Sequence, residues 1–254
     1  MKNTIRILYI VNLLIYLLFP CSLFSQTIPE EGRYYVWFDQ IFGEEHTGLY
    51  NGRQYVDLDV NKIYEDKHSF FSSDKVLFGT VRYDDQTYYN VGMKYNLETD
   101  AVLITLKPGA VTSILQLIPD KIQSFKIDGH SFVRLENPLM SENLDSGFFE
   151  IITKNNNFTL YKKNRKVRRK RLEELGGSKI YYEFTENNKY LLFIDETYIN
   201  VTSKNSVTSL FPEIRQEIRS FYSIHKSLKK SNIDVFMRRL FEQVIHTTQS
   251  KNNL

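Results

Sequence analysis

The chain has 254 residues, of which 42% are hydrophobic and 14% aromatic, and its formal net charge is +3. This composition excludes an intrinsically disordered chain, because disordered chains are poor in aromatic residues and carry a large net charge. The chain contains a single cysteine, which excludes an intramolecular disulfide. We therefore expect a folded protein that is stabilised by packing.

The first 25 residues have the pattern of a secretory signal peptide. Two basic residues precede a thirteen-residue run, 7–19, that is apolar except for Asn12, and the small residue Ser25 precedes a polar residue. The run is too short to span a membrane, which takes about 20 apolar residues. We predict cleavage after Ser25, so that 26–254 form the mature chain. Cleavage removes two basic and no acidic residues, which lowers the net charge from +3 to +1.

The only cysteine, Cys21, lies within this predicted signal peptide. Lipidation of a cysteine requires a small residue directly before it, and Pro20 fits that requirement poorly. We therefore expect Cys21 to be removed with the signal peptide. The mature chain would then have no thiol nucleophile and no cysteine-based zinc site.

Residues 30–50 are predicted to begin with one or two helical turns. The apolar residues at helical spacing are Val36, Trp37, Phe38, Ile41 and Phe42. Gly43 is expected to end these turns, and Asn51-Gly52 indicates a following turn.

From residue 76 to residue 202 the sequence predicts one short strand after another. The predicted strands are 76–83, 87–95, 101–106, 111–118, 121–127, 130–135, 148–154, 158–167, 180–184, 190–194 and 197–202. Short strands at this spacing are typical of an antiparallel meander. We predict a mainly β (α+β) fold in which the meander forms a curved sheet, a half-barrel or a barrel, within a single domain at 26–254.

Two parts of this pattern give more specific predictions. The second strand alternates with a period of two, which predicts one buried face and one solvated face. Its predicted buried face consists of Tyr89, Val91, Met93 and Tyr95. The Asp128-Gly129 pair between two predicted strands is a strong signal for a two-residue hairpin.

The last forty residues predict a helical hairpin at about 211–247. The first apolar stripe consists of Phe211, Ile214, Ile218, Phe221 and His225, and the second of Ile233, Phe236, Met237, Leu240, Phe241 and Val244. Ser231-Asn232 offers an N-cap for the second helix. We expect the apolar side of the hairpin to cover one opening or one face of the sheet.

The sequence contains no recognisable metal site. The five histidines, at positions 46, 68, 130, 225 and 246, show no pair at the spacing of metal ligands. Asp57, Asp59 and Asn61 resemble the start of a calcium loop. That loop also requires glycine at its sixth position and glutamate at its twelfth, where this chain has Lys62 and His68. We therefore assign no metal ligand.

Catalytic motifs are also absent, and no cofactor-binding loop is recognised. Asp128, His130 and Ser131 are close in sequence, but on a strand His130 and Ser131 point to opposite faces. They are interpreted as a turn followed by the start of a strand. We therefore assign no catalytic and no cofactor-binding residue, and we favour a non-enzymatic protein.

The most unusual feature is a run of basic residues. Eight of the ten residues at 162–171 are basic, namely Lys162, Lys163, Arg165, Lys166, Arg168, Arg169, Lys170 and Arg171. Because the mature chain has a net charge of +1, the rest of it carries −7. Such asymmetry predicts an anionic partner: lipid headgroups, an acidic glycan or an acidic protein surface. Nucleic acid is disfavoured by the predicted compartment. The alternative is a solvated hairpin extension whose charge is balanced by the acidic residues that follow it.

Several segments resemble short exported proteins of Gram-negative cell envelopes that have no assigned activity. The resemblance is carried by Asp39–Glu44, Gly48–Gly52, Phe70-Phe71, Gly79–Tyr83 and Lys94-Tyr95. It covers mainly the first half of the chain. The resemblance implies an envelope location and brings no catalytic residue.

These observations lead to three hypotheses about function. The first is a non-enzymatic binding module in the periplasm or at the outer-membrane periphery, which binds a lipophilic or anionic envelope component. The alternative is a structural or assembly partner of an envelope protein complex. A hydrolase with dispersed catalytic residues is the third. A lipophilic carrier requires an apolar cavity between sheet and helices, whereas an enzyme requires converging catalytic groups.

Overall fold

The structure describes five stretches of the chain, which together make up most of the predicted domain. The computed structural model describes residues 29–42, 47–106, 113–136, 146–173 and 179–252. The predicted signal peptide, with Cys21, lies outside the described residues, as do Gly43 and His46.

The described ranges contain thirteen strands. In chain order they are β1 (Arg53–Gln54), β2 (Leu77–Tyr83), β3 (Gln86–Asn96), β4 (Ala101–Leu106), β5 (Ser113–Gln116), β6 (Ile122–Ile127), β7 (His130–Leu135), β8 (Gly147–Lys154), β9 (Phe158–Lys163), β10 (Lys166–Glu173), β11 (Lys179–Glu186), β12 (Lys189–Ile194) and β13 (Thr197–Asn200). Eleven strands form one antiparallel sheet in the order β1-β5-β4-β3-β2-β6-β7-β8-β9-β12-β13, while β10 pairs with β11. The edge strands β1 and β13 do not pair with each other. The meander is therefore confirmed as an open, curved sheet, and the closed alternative does not form.

Tight turns set the register of three hairpins in this sheet. The Asp128-Gly129 turn has φ values of 51° and 77°, as the type I′ conformation requires, which confirms the predicted hairpin. Asp84-Asp85 and Asp195-Glu196 have positive φ at both positions as well, although neither turn contains glycine. Type I′ turns match the right-handed twist of the strands, so all three close their hairpins without splaying them.

A β-bulge divides β3 and changes the predicted burial pattern. Opposite β2, Gly79 pairs with Val91 and Val81 pairs with Tyr88, so β3 contains one extra residue. Asn90, with φ of 55°, lies within this extra step. The prediction that Val91, Met93 and Tyr95 face the core is confirmed. Before the bulge, however, Tyr88 is buried in place of Tyr89, because the extra residue reverses the alternation.

Helices lie at both ends of the described chain. They are α1 (Glu30–Phe42), α2 (Lys204–Leu210), α3 (Arg215–Ile224), α4 (Lys226–Ser231) and α5 (Ile233–Asn252). Helix α1 packs beside β3 and leaves Tyr34, Tyr35 and Trp37 exposed. No helix of the described ranges is both long enough and apolar enough to cross a membrane.

The C-terminal helices extend further than the predicted hairpin and are more divided. Helix α2 precedes the predicted start and begins at a capping box formed by Ser203 and Ser206. Pro212 then starts a single 3₁₀ turn before α3. The predicted N-cap of the last helix is confirmed, since the Asn232 Oδ1 atom accepts a hydrogen bond of 3.0 Å from the Val235 N–H.

Two apolar cores share the inner face of the sheet. The first fills the half built from β2 to β8 and includes a stack of Phe125 on Phe132, with ring centroids 4.7 Å apart. The second lies between strands β8, β9 and β12 and helices α2 to α5, where Leu160 and Leu192 meet Phe236 and Phe241. The helices therefore cover one face of the sheet, as the apolar stripes predicted.

Candidate functional site

The basic run is divided between two different sheets. A single strand was predicted over 158–167, but β9 ends at Lys163 and β10 starts at Lys166. Between them the buried amide of Asn164 donates a hydrogen bond of 2.7 Å to Glu150, and the backbone N–H of Arg165 donates one to Asn188. These bonds turn the chain out of the main sheet. Strands β10 and β11 then pair along their full length, and we refer to them as the basic hairpin.

Two of the eight predicted cations belong to β9 and are internal. The Nζ atom of Lys162 lies 2.6 Å from a carboxylate oxygen of Asp234 in α5. The Nζ atom of Lys163 lies 2.6 Å from a carboxylate oxygen of Asp100. Burial lowers the pKa of Lys163, and the Asp100 carboxylate opposes this effect. Both ammonium groups are paired with carboxylates of the protein and are not available to a partner.

Lys166, at the base of the basic hairpin, is also used internally. Its Nζ atom donates to the backbone carbonyls of His68 and Phe70, both at 2.8 Å. Burial lowers the pKa of Lys166, while the nearby carboxylate of Glu186 raises it. The side chain therefore attaches the hairpin to the segment before β2.

Arg168 makes the most extensive attachment between the hairpin and the rest of the protein. Its guanidinium donates two hydrogen bonds to Glu98, at 2.7 and 2.9 Å, and a third to Asp59 at 2.8 Å. The Arg168 hydrogen bond lowers the pKa of Asp59. The same guanidinium lies over the rings of Tyr182 and Phe184. This bidentate geometry holds the base of the hairpin in one orientation.

Arg171 is paired within the hairpin. Its guanidinium lies 3.0 Å from the Glu183 carboxylate and 4.0 Å from the centre of the Tyr64 ring. Lys67 contacts the same carboxylate at 3.4 Å. Arg171 is thus partly neutralised, although its side chain remains accessible to solvent.

Three of the eight cations remain unpaired within the described chain. The side chains of Arg165, Arg169 and Lys170 are exposed, and none of them forms an ion pair or side-chain hydrogen bond with a described residue. Arg165 lies just before β10, whereas Arg169 and Lys170 are the two central residues of β10. The structure therefore places the predicted anionic-partner residues in two groups: five are paired with other groups of the protein, and three are exposed and unpaired within the described residues. We call the second group the unpaired cations.

An exposed apolar pair lies near the end of the basic hairpin, and sequence reasoning missed it. Leu172 and Ile180 are directly opposite each other in the register, with 63% and 41% of their surface exposed. A signal was available in the sequence, because Leu172 directly follows the basic run and Ile180, Tyr182 and Phe184 occupy every second position. The structure shows burial along that face falling from Phe184 to Ile180.

A second group of polar residues lies inside the protein, between the two cores. Glu150, Lys162 and Tyr190 are cross-strand neighbours on β8, β9 and β12, and Glu150 is only 3% exposed. The Glu150 carboxylate lies 2.6 Å from Nδ1 of His130 and accepts a hydrogen bond from Asn164. Buried charges are costly unless they are paired, and here both carboxylate oxygens have partners.

We call Glu150, Lys162 and Tyr190 the buried row, and this row continues into the last helix. The Asp234 carboxylate, in the first turn of α5, accepts hydrogen bonds from Lys162 and from the Tyr190 hydroxyl. Burial raises the pKa of Tyr190, and the hydrogen bond to Asp234 raises it further. An acidic residue is also favourable in the first turn of a helix. The row therefore joins the sheet to the helical layer.

Asp128, His130 and Ser131 do not converge into a catalytic arrangement. The Asp128 carboxylate accepts a hydrogen bond of 2.5 Å from the Ser72 hydroxyl, while His130 binds Glu150 instead. The interpretation of this segment as a turn and a strand start is confirmed, since β7 begins at His130.

No cluster of three or more potential metal ligands is present in the described ranges. Asp59, from the segment that resembles a calcium loop, is engaged by Arg168.

Two cavities lie between α3 and α5. The apolar one measures about 10 Å³, holds at most a single water molecule, and is lined by Ile214, Ile218, Phe221, Leu240 and Val244 among others. The other measures about 430 Å³, is open to solvent, and has polar side chains such as Gln216, Ser220 and Gln243 in its lining. A lipophilic ligand therefore has no room in the apolar cavity.

Comparisons of the chain with protein-family models, with curated proteins and with solved structures found no match. The function is therefore argued from the geometry of the basic hairpin and of the buried row.

Proposed function

We propose that this protein is an exported, non-enzymatic binding module at the periplasm or outer-membrane periphery, and that it binds an anionic envelope component through the basic hairpin. One observation carries the proposal. Five of the eight clustered cations pair with other groups of the protein, whereas the unpaired cations Arg165, Arg169 and Lys170 face solvent. The first group therefore has structural roles, and the second group has no such partner among the described residues.

Electrostatics gives the expected size of the effect. Each cation held near an anionic membrane surface contributes about 1 kcal/mol, so three contribute roughly 3 kcal/mol at low salt. This corresponds to roughly a hundredfold in affinity. The internal ion pairs also favour binding, because they hold the hairpin in place before a partner arrives.

The exposed cations support an anionic ligand more directly than a lipophilic one. A carrier requires an apolar cavity between the sheet and the helices, and the apolar cavity described above, between α3 and α5, measures only about 10 Å³. The unpaired cations, in contrast, are accessible without any rearrangement.

The test compares two triple variants of the purified mature chain that have the same change in net charge. The first replaces the unpaired cations: Arg165→Ser, Arg169→Ser and Lys170→Ser. The control replaces exposed lysines elsewhere: Lys126→Ser, Lys154→Ser and Lys204→Ser. Binding to heparin and to vesicles containing 30% phosphatidylglycerol is measured at 50 and 200 mM salt.

We expect the first variant to bind at least tenfold more weakly at 50 mM salt, with a smaller salt dependence than the unmodified chain. The control should bind within about threefold of the unmodified chain, because its cations are dispersed. Equal binding by the two variants would show that net charge alone is responsible and would refute the proposal.

A further inference from the structure

We infer that the anionic partner is a phospholipid bilayer surface, and that the outer end of the basic hairpin inserts Leu172 and Ile180 into it. This inference rests on the proposed function and names the ligand class for the same surface. The observation behind it is the exposed apolar pair, Leu172 and Ile180, because the nearby charges do not explain why two apolar side chains are exposed here.

The apolar pair is built by the register of the hairpin. Leu172 and Ile180 are cross-strand partners on one face, next to the last pair of the ladder. Side chains in such positions lie in contact range of each other and form one continuous apolar surface. With 63% and 41% exposure, these two side chains contribute little to the core. Within the described residues, only the Glu173–Lys179 pair lies beyond them in the ladder.

The apolar face runs continuously from the interior to this end. Phe184 is buried, Tyr182 is half-buried and Ile180 is exposed, all on one side of β11. The Arg168 guanidinium covers Tyr182 and Phe184 from above. The Arg168 guanidinium does not extend beyond these two rings, and the Leu172–Ile180 pair is left open to solvent.

Cations and one acidic residue lie next to the apolar pair in the hairpin, the acidic residue being Glu173, which is opposite Lys179. Lys170 precedes Leu172 by two residues and therefore shares its face, while Arg169 lies on the opposite face. Lys179, at the start of β11, is exposed beside Ile180. Amphipathic helices that lie in the interface of an anionic membrane combine apolar and basic side chains in the same way. Long basic side chains can reach the headgroups while the apolar residues enter the acyl region.

An anionic bilayer explains both features of this surface, whereas a soluble polyanion explains only one. An acidic glycan would use the cations but would leave Leu172 and Ile180 in water. The attached base of the hairpin, held by Arg168 on Glu98 and Asp59, presents the end in a preformed orientation.

The test uses a variant of the mature chain that keeps every charge. Leu172→Ser with Ile180→Ser removes the apolar pair. The matched control is Phe78→Ser with Ile114→Ser, since these residues of β2 and β5 have 63% and 38% exposure. Each protein is measured on vesicles with 30% phosphatidylglycerol, on neutral phosphatidylcholine vesicles and on heparin.

We expect the apolar-pair variant to bind anionic vesicles at least tenfold more weakly, while its heparin binding stays within twofold of the unmodified chain. The control should bind both anionic vesicles and heparin as strongly as the unmodified chain does. Unchanged vesicle binding by the apolar-pair variant overturns the inference, and so does a chain that binds heparin but not anionic vesicles. In both cases the proposed function is judged separately, from the variant that lacks the unpaired cations.

Insertion itself is measured with an environment-sensitive fluorophore on Leu172→Cys, since the predicted mature chain has no other cysteine. A blue shift on anionic vesicles is expected, with none for the same fluorophore on Phe78→Cys. Equal emission from the two positions overturns the inference.

Discussion

At the scale of single residues, Gly147 shows how one backbone position supports a polar cluster. Asp100 accepts hydrogen bonds from the Tyr95 hydroxyl, the Lys163 ammonium and the Phe148 N–H. A Cβ atom on Gly147 would lie 2.0 Å from the Asp100 carboxylate and 2.5 Å from Lys163 Nζ. Its φ of 151° is also rare for other residues. Only glycine leaves room for this ion pair.

Gly147→Ala is therefore expected to destabilise the protein by about 2–4 kcal/mol, through backbone strain and displacement of the buried pair. The control is Gly129→Ala, where φ is 77° but no atom lies within 4 Å of the added Cβ. Gly129→Ala should lower the free energy of unfolding by about 1–2 kcal/mol, because alanine is strained in the left-handed conformation. The measurement is urea unfolding followed by circular dichroism. Equal losses for the two variants would contradict the role assigned to Gly147.

At the scale of elements, α5 is attached to the sheet by a charged contact as well as by its apolar stripe. The Asp234 carboxylate accepts hydrogen bonds from Lys162 of β9 and Tyr190 of β12. Lys162 is almost fully buried, so its ammonium group depends on this partner. Removing one partner of such a pair leaves an uncompensated charge.

Asp234→Ala should lower the free energy of unfolding by about 2–4 kcal/mol. Adding Lys162→Met to this variant should recover a large part of the loss, because the buried charge is then gone. Glu242→Ala, on the exposed side of the same helix, should change stability by less than about 0.5 kcal/mol. Urea unfolding of the four proteins is the measurement. No recovery in the double variant would contradict this interpretation.

At the scale of the whole molecule, the buried row makes stability depend on pH. The hydrogen bond to Glu150 raises the pKa of His130, with burial opposing it, Asp128 adding to it and Lys162 reducing it. A raised histidine pKa stabilises the folded state fully below the ordinary value of about 6.5. This stabilisation is lost as the pH rises through the raised value. Burial lowers the pKa of His68, which has the opposite effect.

We therefore expect the difference in unfolding free energy between the unmodified chain and His130→Gln to be larger at pH 6 than at pH 8.5. The contribution of His68 is present in both proteins and cancels in the difference. Urea unfolding at half-unit pH intervals checks this. A difference that stays constant with pH would rule out the His130–Glu150 pair as its source.

The sequence could predict the charge of the candidate site. It could not predict which of the basic side chains are accessible to solvent. All eight basic residues are visible in the sequence, but five of them have internal roles. Arg168 pairs with Asp59 and Glu98, which lie 109 and 70 residues earlier in the chain. Pairing over such distances leaves no local pattern. The exposed Leu172–Ile180 pair likewise depends on the register of β10 on β11.

The sequence by itself determined the strand meander, the Asp128-Gly129 turn and the Asn232 helix cap. Their causes are alternation, turn chemistry and capping, which act between residues close together in the chain. Only the tertiary structure decided that the sheet stays open, that β10 leaves it and which cations face solvent. These features depend on contacts between distant segments, such as the Asn164 amide on Glu150, whose energy appears only when the chain is folded.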